Sequence, residues 1–287
     1  MGYVIITPAK NEAKFIQHTL DSVIAQTLLP DKWIIVDDGS TDETQKIVKQ
    51  YTIKYPWIHL AINRHTMNQR VGGAQVVRVF ASGLEALTQT RYDFIVKLDA
   101  DLTLPANYFS EIQRCFKKNE RVGICGGIIV NKYSQEHIIP ESVPEFHIRG
   151  AFKAYRMACF KNIQGLKPVY NWDGIDELEA MYHGWQTQTL SLNVIHHRPT
   201  GTLTNKGYRW LIEDGKEYFR MGYDPLLALL KAIHKGRKAV PRVISGVLFF
   251  WGFWSAFFAR DALVVDRQVS KFSRRFQYNR LFKRVGR

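Results

Sequence analysis

Through the first 130 residues, short apolar runs alternate with stretches of helical periodicity, and that alternation restricts the chain to one broad class of fold. The runs lie at Tyr3–Thr7, Trp33–Asp37, Ile58–Asn63, Asp93–Leu98 and Val122–Val130. Each is of strand length and largely apolar at both alternating sets of positions, as strands buried on two faces are. Between the first two, Phe15, Ile16, Leu20, Val23 and Ile24 recur at helical spacing. Thr41 to Tyr51 opens a second helix behind a Gly-Ser-Thr-Asp turn, and Ala74 to Leu87 carries a third. Strand and helix in alternation predict an α/β domain, a mostly parallel sheet flanked by helices on both faces. Ligands in such sheets collect at the carboxyl ends of strands, so the polar clusters just after the runs are the candidate site.

Four clusters qualify. The first run ends in Thr7-Pro8-Ala9-Lys10-Asn11-Glu12 and the second in Asp37-Asp38-Gly39-Ser40-Thr41-Asp42. A carboxylate there can accept hydrogen bonds from a base or ribose, or Asp38 and Ser40 can simply cap the next helix. The fourth run ends in Lys97-Leu98-Asp99-Ala100-Asp101, two hard oxygen ligands suited to Mg²⁺ or Mn²⁺, although Asp-x-Asp also occurs on ordinary loops. Gly126-Gly127, at the fifth run, reads either as a close approach of ligand to backbone or as a bulge.

Taken together, Pro8 to Glu12, Val36 to Asp42 and Leu98 to Asp101 resemble the motifs of the family 2 glycosyltransferases with the GT-A fold, over roughly residues 1–200. The resemblance implies that Pro8, Asn11, Glu12 and Asp38 line a nucleotide pocket. It places Asp99 on the ribose or diphosphate side and makes Asp101 the chief metal ligand. Arg70 and Arg78 become candidates beside the nucleotide, or else ordinary surface arginines. The family's general base is an Asp eleven residues before a helix-ending Gly, and counting back from Gly184 gives Asp173. The usual Glu-Asp pair is here Trp172-Asp173, with a second pair at Asp176-Glu177, so all three carboxylates remain candidates. They could instead cap and solvate the first turn of a helix. His196-His197-Arg198 offers a further contact to diphosphate or metal, His197 being the candidate ligand, or a structural pair. Trp172, Trp185, Tyr155 and Arg156 would shape the acceptor side or pack the core. A divalent cation, Mg or Mn, is the implied cofactor.

The basicity of the chain has an address. Residues 1–230 hold 26 basic and 24 acidic side chains, whereas residues 231–287 hold 14 and 2. A nucleic-acid binder wants a basic face on its folded body, so nucleic acid is not the expected partner. Val243 to Ala259 is a run of 17 residues without a charge, bracketed by Arg242 and Arg260 and holding seven aromatics. That length is at the lower limit for a membrane-spanning helix, and its aromatics suit the bilayer interface. Beyond it, Val265, Val269, Phe272 and Phe276 share a helical face, with Arg267, Lys271, Arg274 and Arg275 largely elsewhere. The expectation is an in-plane or shallow hairpin insertion at an anionic membrane surface, against a buried helix with a solvated tail. Three widely spaced cysteines fit a reducing compartment, and the N-terminus lacks the features of a secretory signal.

The resulting expectation is a catalytic domain over 1–225 and a membrane-associating tail over 226–287. The enzyme would be an inverting glycosyltransferase at the cytoplasmic face of the membrane, taking a nucleotide-sugar donor and a glycan or lipid-linked acceptor. A sugar nucleotidyltransferase would want a glycine-rich loop that Thr7 to Glu12 lacks. The other alternative is a non-catalytic membrane- or RNA-binding protein. The sequence sets no oligomeric state.

Overall fold

The computed structural model describes residues 1–63, 73–87, 91–132, 138–141, 144, 146–198, 208–238 and 241–285. The chain divides into two compact units, Met1–Thr202 and Leu203–Arg287.

In chain order the first unit comprises β1 (Tyr3–Ala9), α1 (Ile16–Ile24), β2 (Lys32–Asp37), α2 (Thr44–Lys54), β3 (Ile58–Ile62) and α3 (Ala74–Glu85). It continues with β4 (Phe94–Leu98), β5 (Leu102–Thr103), α4 (Tyr108–Lys118), β6 (Val122–Lys132), β7 (Ile138–Pro140) and β8 (Phe152–Arg156). Then follow α5 (Met157–Asn162), α6 (Trp172–Tyr182) and β9 (Gln186–His196). The strands join in the order β3-β2-β1-β4-β8-β6-β9-β5, with β7 on β6. Pairing is parallel across β3-β2-β1-β4 and between β6 and β9. It is antiparallel at β4-β8, β6-β8, β5-β9 and β6-β7.

The sheet is thus mixed, where the strand–helix alternation predicted a mostly parallel one. The main difference is β8, which slots between β4 and β6 and runs against both, while the short β5 and β7 also run against their partners. Its sequence, Phe-Lys-Ala-Tyr-Arg, has a lysine inside a strand whose first four residues are all buried. The five predicted runs are all strands, and their apolar residues form one core with α1, α3 and α4. Gly126 and Gly127 belong to the bulge reading. The register with β9 shifts between Gly126 and Ile128, and a Cβ on Gly127 would stand 2.4 Å from the Leu192 carbonyl oxygen.

The second unit is helical: α7 (Arg209–Arg220), α8 (Pro225–Lys238), α9 (Ile244–Phe258) and α10 (Arg267–Val285). α9 packs against α7 and α8. At the α7–α9 crossing the backbones nearly touch, because a Cβ on Gly252 would lie 2.0 Å from the Ile212 carbonyl oxygen. Phe249, Phe253 and Ala256 form the buried side of α9, and Phe219 meets Phe253 and Phe257 edge to face. α10 turns Val269, Ser270 and Ser273 into the unit, with the Ser270 hydroxyl donating to the Gly222 carbonyl. The Val265–Val269 side expected to face lipid is therefore covered by protein. Among the described residues, no helix is long and apolar enough to cross a membrane. At 15 residues α9 spans about 22 Å, short of a hydrocarbon core of about 30 Å.

Candidate active site

The carboxyl ends of β1, β2 and β4 lie side by side through their parallel register. The loops after β1 and β2 are stitched together. Asn11 adopts a left-handed φ of 53° and its Oδ1 accepts the Thr41 N–H at 2.8 Å, while its own N–H donates to Ser40 Oγ at 2.9 Å. Glu12 N–H donates to Thr44 Oγ1 at 2.8 Å. Pro8 sits half-buried in β1, paired in register with Val36.

Adjacent Asp37 and Asp38 divide the work. Asp37 shapes the turn, its Oδ2 accepting from the N–H groups of Gly39 and Ser40 and from Gln45 Nε2. Asp42, not Asp38, caps the start of α2 by accepting the Thr44 N–H at 3.0 Å. Asp38 caps nothing. Its two oxygens accept from Asn63 Nδ2 at 2.6 Å and Gln75 Nε2 at 3.1 Å, and Lys10 Nζ donates to its carbonyl at 2.8 Å. Asn63 and Gln75, at the end of β3 and the start of α3, are partners of the candidate Asp38 that sequence reasoning missed. Single amides after an apolar run carry no signal of their own. Arg78 is exposed on α3, one turn beyond Gln75, and Arg70 lies outside the described residues.

Around Asp101 the key pairing is β5 with β9, which sets Leu102 opposite His196. The His197 N–H donates to the Asp101 carbonyl at 3.0 Å. His196 Nε2 stands 3.4 Å from Asp101 Oδ1. His197 has its Nε2 2.7 Å from Thr103 Oγ1 and its ring stacked on His18. The histidine set beside the Asp101 carboxylate is therefore His196, while His197, the candidate from sequence, is engaged with Thr103 and His18. His197 lies one residue past the end of β9, where the chain has left the strand. Arg198 bridges the two loops. Its guanidinium holds Glu12 at 2.7 and 3.2 Å and reaches Asp101 Oδ2 at 3.3 Å. Burial disfavours that charge, but Glu12, Asp101 and Asp99 outweigh it and hold Arg198 more firmly protonated. Asp99, one-third exposed, pairs with the buried Lys97.

The three candidate base carboxylates occupy different environments on α6. Asp176 and Glu177 are buried. Lys153 Nζ reaches Asp176 at 2.8 and 3.1 Å and Glu177 at 2.9 Å, and Tyr155 donates to Asp176 at 2.5 Å. Glu177 also accepts the Ile148 N–H at 2.7 Å and faces His147 Nδ1 at 2.9 Å. Asp173 keeps 19% of its side chain exposed, accepts the Gly150 N–H at 3.3 Å and faces His147 Nε2 at 4.0 Å.

Titration follows these surroundings. Burial pushes the Asp176 carboxyl up to about 6 despite Lys153, because one ammonium is shared among several carboxylates. Burial also works against ionised Asp173, but Lys153, His147, Arg149 and the Gly150 N–H prevail and hold it below the usual range. His147 is raised: burial opposes its charge and is outweighed by Glu177 and Asp173.

A backbone dipeptide joins the two halves of the site. Gly150 donates to the Asp173 carboxylate, and the next residue, Ala151, accepts the Asp99 N–H at 2.7 Å. Gly150 is required by contact, since a Cβ there would sit 2.6 Å from the Trp172 ring and 3.0 Å from the Asp173 Cβ. Lys97 and Lys153, paired across β4 and β8, both lie over the Trp172 ring, at 5.2 and 5.9 Å. Trp172 and Tyr155 thus contact the Lys97, Lys153 and Asp176 cluster, whereas Trp185 bonds Asn162 and Arg156 bonds the carbonyls of Phe116, Asn119 and Val122.

Parallel strands with acidic turns gathered at their carboxyl edge give the α/β arrangement in which such folds collect ligands. More specifically, the chain belongs to glycosyl transferase family 2, whose family model matches residues 4–169. It is 27% identical over 128 residues to poly-beta-1,6-N-acetyl-D-glucosamine synthase of Staphylococcus epidermidis, covering 44% of this chain and 28% of that protein. The matched segment is thus less than a third of that relative's length. Among solved structures the fold resembles S. aureus TarS 1-349 in complex with UDP-GlcNAc, with a TM-score of 0.56 at 15% identity, covering 90% of this chain and 73% of that one. It also resembles GalNAc-T7 with UDP, GalNAc and Mn²⁺, with a TM-score of 0.60 at 15% identity, covering 91% and 57%.

Proposed function

We propose that the chain is an inverting glycosyltransferase in which Asp173 is the general base. It would move a sugar from a nucleotide-sugar to a hydroxyl of a lipid-linked or polysaccharide acceptor in cell-surface glycan synthesis. The observation that carries this reading is the Gly150–Ala151 link, which ties the one open carboxylate of α6 to the Asp99 turn. Asp176 and Glu177 have their oxygens committed inside the fold, which supports a positioning role for them. Asp38, bonded to two side-chain amides and capping nothing, suits a nucleotide contact, with Pro8, Asn11 and Glu12 beside it.

In the reaction, ionised Asp173 takes the proton from the acceptor hydroxyl as that oxygen attacks the anomeric carbon. The bond from that carbon to the diphosphate breaks, and its electrons leave with the nucleoside diphosphate. Attack from the face opposite the leaving group inverts the configuration. His147 and Lys153 keep Asp173 anionic before the transfer.

The residues present fit a divalent cation. Asp101 and Asp99 offer hard oxygens, and a Mg²⁺ or Mn²⁺ bound by one or two carboxylates takes its other ligands from phosphates and water. Among the described residues no group of three or more His, Cys, Asp or Glu side chains forms a closed metal site, consistent with a cation shared with substrate. Such a cation would neutralise charge on the departing diphosphate. In this structure Arg198 supplies the positive charge between Glu12 and Asp101. The Mn²⁺ complex of GalNAc-T7 and the UDP-GlcNAc complex of TarS favour the same donor chemistry. The polysaccharide synthase among its relatives favours work at the cytoplasmic side of a membrane.

The test is a panel of UDP-, GDP- and dTDP-sugars with Mg²⁺ or Mn²⁺ and membrane acceptors, wild type beside Asp173→Asn and Asp101→Asn. Asp173→Asn should keep donor binding and lose about 10²- to 10⁴-fold in turnover. Release of no nucleotide by wild type from any donor would overturn the reading. Full turnover by Asp173→Asn would shift the base to another carboxylate.

A further inference from the structure

The second unit leaves two rows of large apolar side chains uncovered. On α9, Ile244, Val247, Trp251 and Phe258 are 51–75% exposed, at helical spacings of three, four and seven. On α8, Leu226, Leu229, Leu230 and Ile233 are 40–54% exposed. Exposed apolar rows of this extent mark interaction surfaces rather than ordinary protein exterior. One side of the uncharged 243–259 run is used inside the unit, through Phe249, Phe253 and Ala256 among others, so these rows are what is left over for a partner.

Charge identifies that partner. Residues 203–287 contain 18 Lys and Arg against 6 Asp and Glu. Exposed Arg242 and Arg260 bracket the α9 row, and Arg237 is exposed in the last turn of α8. On α10, Arg267, Lys271 and Arg275 are exposed at intervals of four, one basic stripe. Two copies of a segment with net charge +12 repel each other, which disfavours self-association. An anionic bilayer satisfies both features, taking apolar rows into the headgroup boundary while basic side chains stay with the headgroups. At 15 residues α9 is shorter than a spanning helix needs to be.

We infer that the α8 and α9 rows of the second unit dock in the plane of a bilayer carrying anionic lipid, with Trp251 and Phe258 inserted and Arg242 and Arg260 on headgroup phosphates. The tail thus binds lipid through α8 and α9, while α10 turns Val269 into the unit and adds its basic stripe to the surface. This surface is independent of the catalytic reading, since it belongs wholly to residues 203–287.

The experiment is co-sedimentation of the full chain with phosphatidylcholine vesicles, with and without phosphatidylglycerol. Binding should appear with phosphatidylglycerol and fade as salt is raised. Trp251→Glu and Phe258→Glu should each weaken it roughly ten- to a hundredfold, the transfer preference of a large apolar side chain. Arg242→Ser should weaken it about fivefold. All three positions are exposed, and an unchanged circular dichroism spectrum confirms folding. Brominated lipid should quench Trp fluorescence in wild type, and less in Trp251→Phe. Three outcomes overturn the inference: wild-type binding by the two Glu variants, equal binding to neutral vesicles, or a dimer in the ultracentrifuge that the Glu variants disperse.

Discussion

Replacing Lys153 with Met would leave two buried carboxylates without their shared ammonium, and the cost should be large. Lys153 is fully buried and bonds Asp176 at 2.8 Å and Glu177 at 2.9 Å, both at 2% exposure or less. Removing one partner of a buried ion pair typically costs about 3–5 kcal/mol, because the remaining charge stays desolvated. In a domain of roughly 200 residues each kcal/mol moves the melting temperature by about 2–4 °C, so a drop of roughly 6–20 °C is expected by calorimetry. Lys97→Met is the control. Lys97 is as buried, but its partner Asp99 is one-third exposed and can regain water, so its loss should stay near 1 kcal/mol. Acidification supplies a second signature. Asp176 titrates at about 6 in the fold, above the ordinary carboxylate value, so the native state binds the extra proton between those values. Asp176 therefore adds stability as pH falls through that window and withdraws it as pH rises. In Lys153→Met the unpartnered carboxylates gain more from protonation, so its deficit against wild type should narrow between pH 7.5 and 5. A melting drop under about 2 °C, or equal losses in the two variants, would refute the view that Lys153 is the electrostatic keystone of α6.

Two further outcomes follow from the contacts at Asp173. His147→Gln removes a cation that holds Asp173 ionised, so the Asp173 pKa should rise and the acid limb of the kcat/KM profile move to higher pH; an unmoved limb with lowered kcat would reduce His147 to packing. Gly150→Ala drives a methyl into Trp172 and Asp173, so turnover should fall at least about tenfold with donor binding nearly unchanged, as expected when a reacting group is displaced. Wild-type turnover would show that the Gly150 contact does not position the base.

The parts of the fold legible in the sequence were those built from local chemistry. β1, β2, β4 and β6 are buried on both faces, so their sequences read as continuous apolar runs and their ends mark the acidic turns. β8 was not legible, because a lysine and an arginine interrupt its apolar pattern. Lys153 is tolerated there only through carboxylates more than twenty residues away on α6. β9 opens on four polar residues, Gln186 to Thr189, and is half-exposed or exposed along most of its length, so only the short apolar run before His196 signals it.

The sequence by itself determined the strand ends, the three acidic motifs and the concentration of positive charge after residue 230, because each depends on neighbours in the chain. Only the tertiary structure separated Asp173 from Asp176 and Glu177, placed His196 rather than His197 beside Asp101, and brought Arg198 to Glu12. Those distinctions depend on burial and on partners supplied by β5, β8 and the 147–151 segment. Likewise, the uncharged run of α9 and the apolar face of α10 were both candidates for lipid, but packing buried Val269 of α10 and left rows of α8 and α9 uncovered. A side chain's identity is local, whereas the dielectric around it and the charges facing it are assembled by the whole fold.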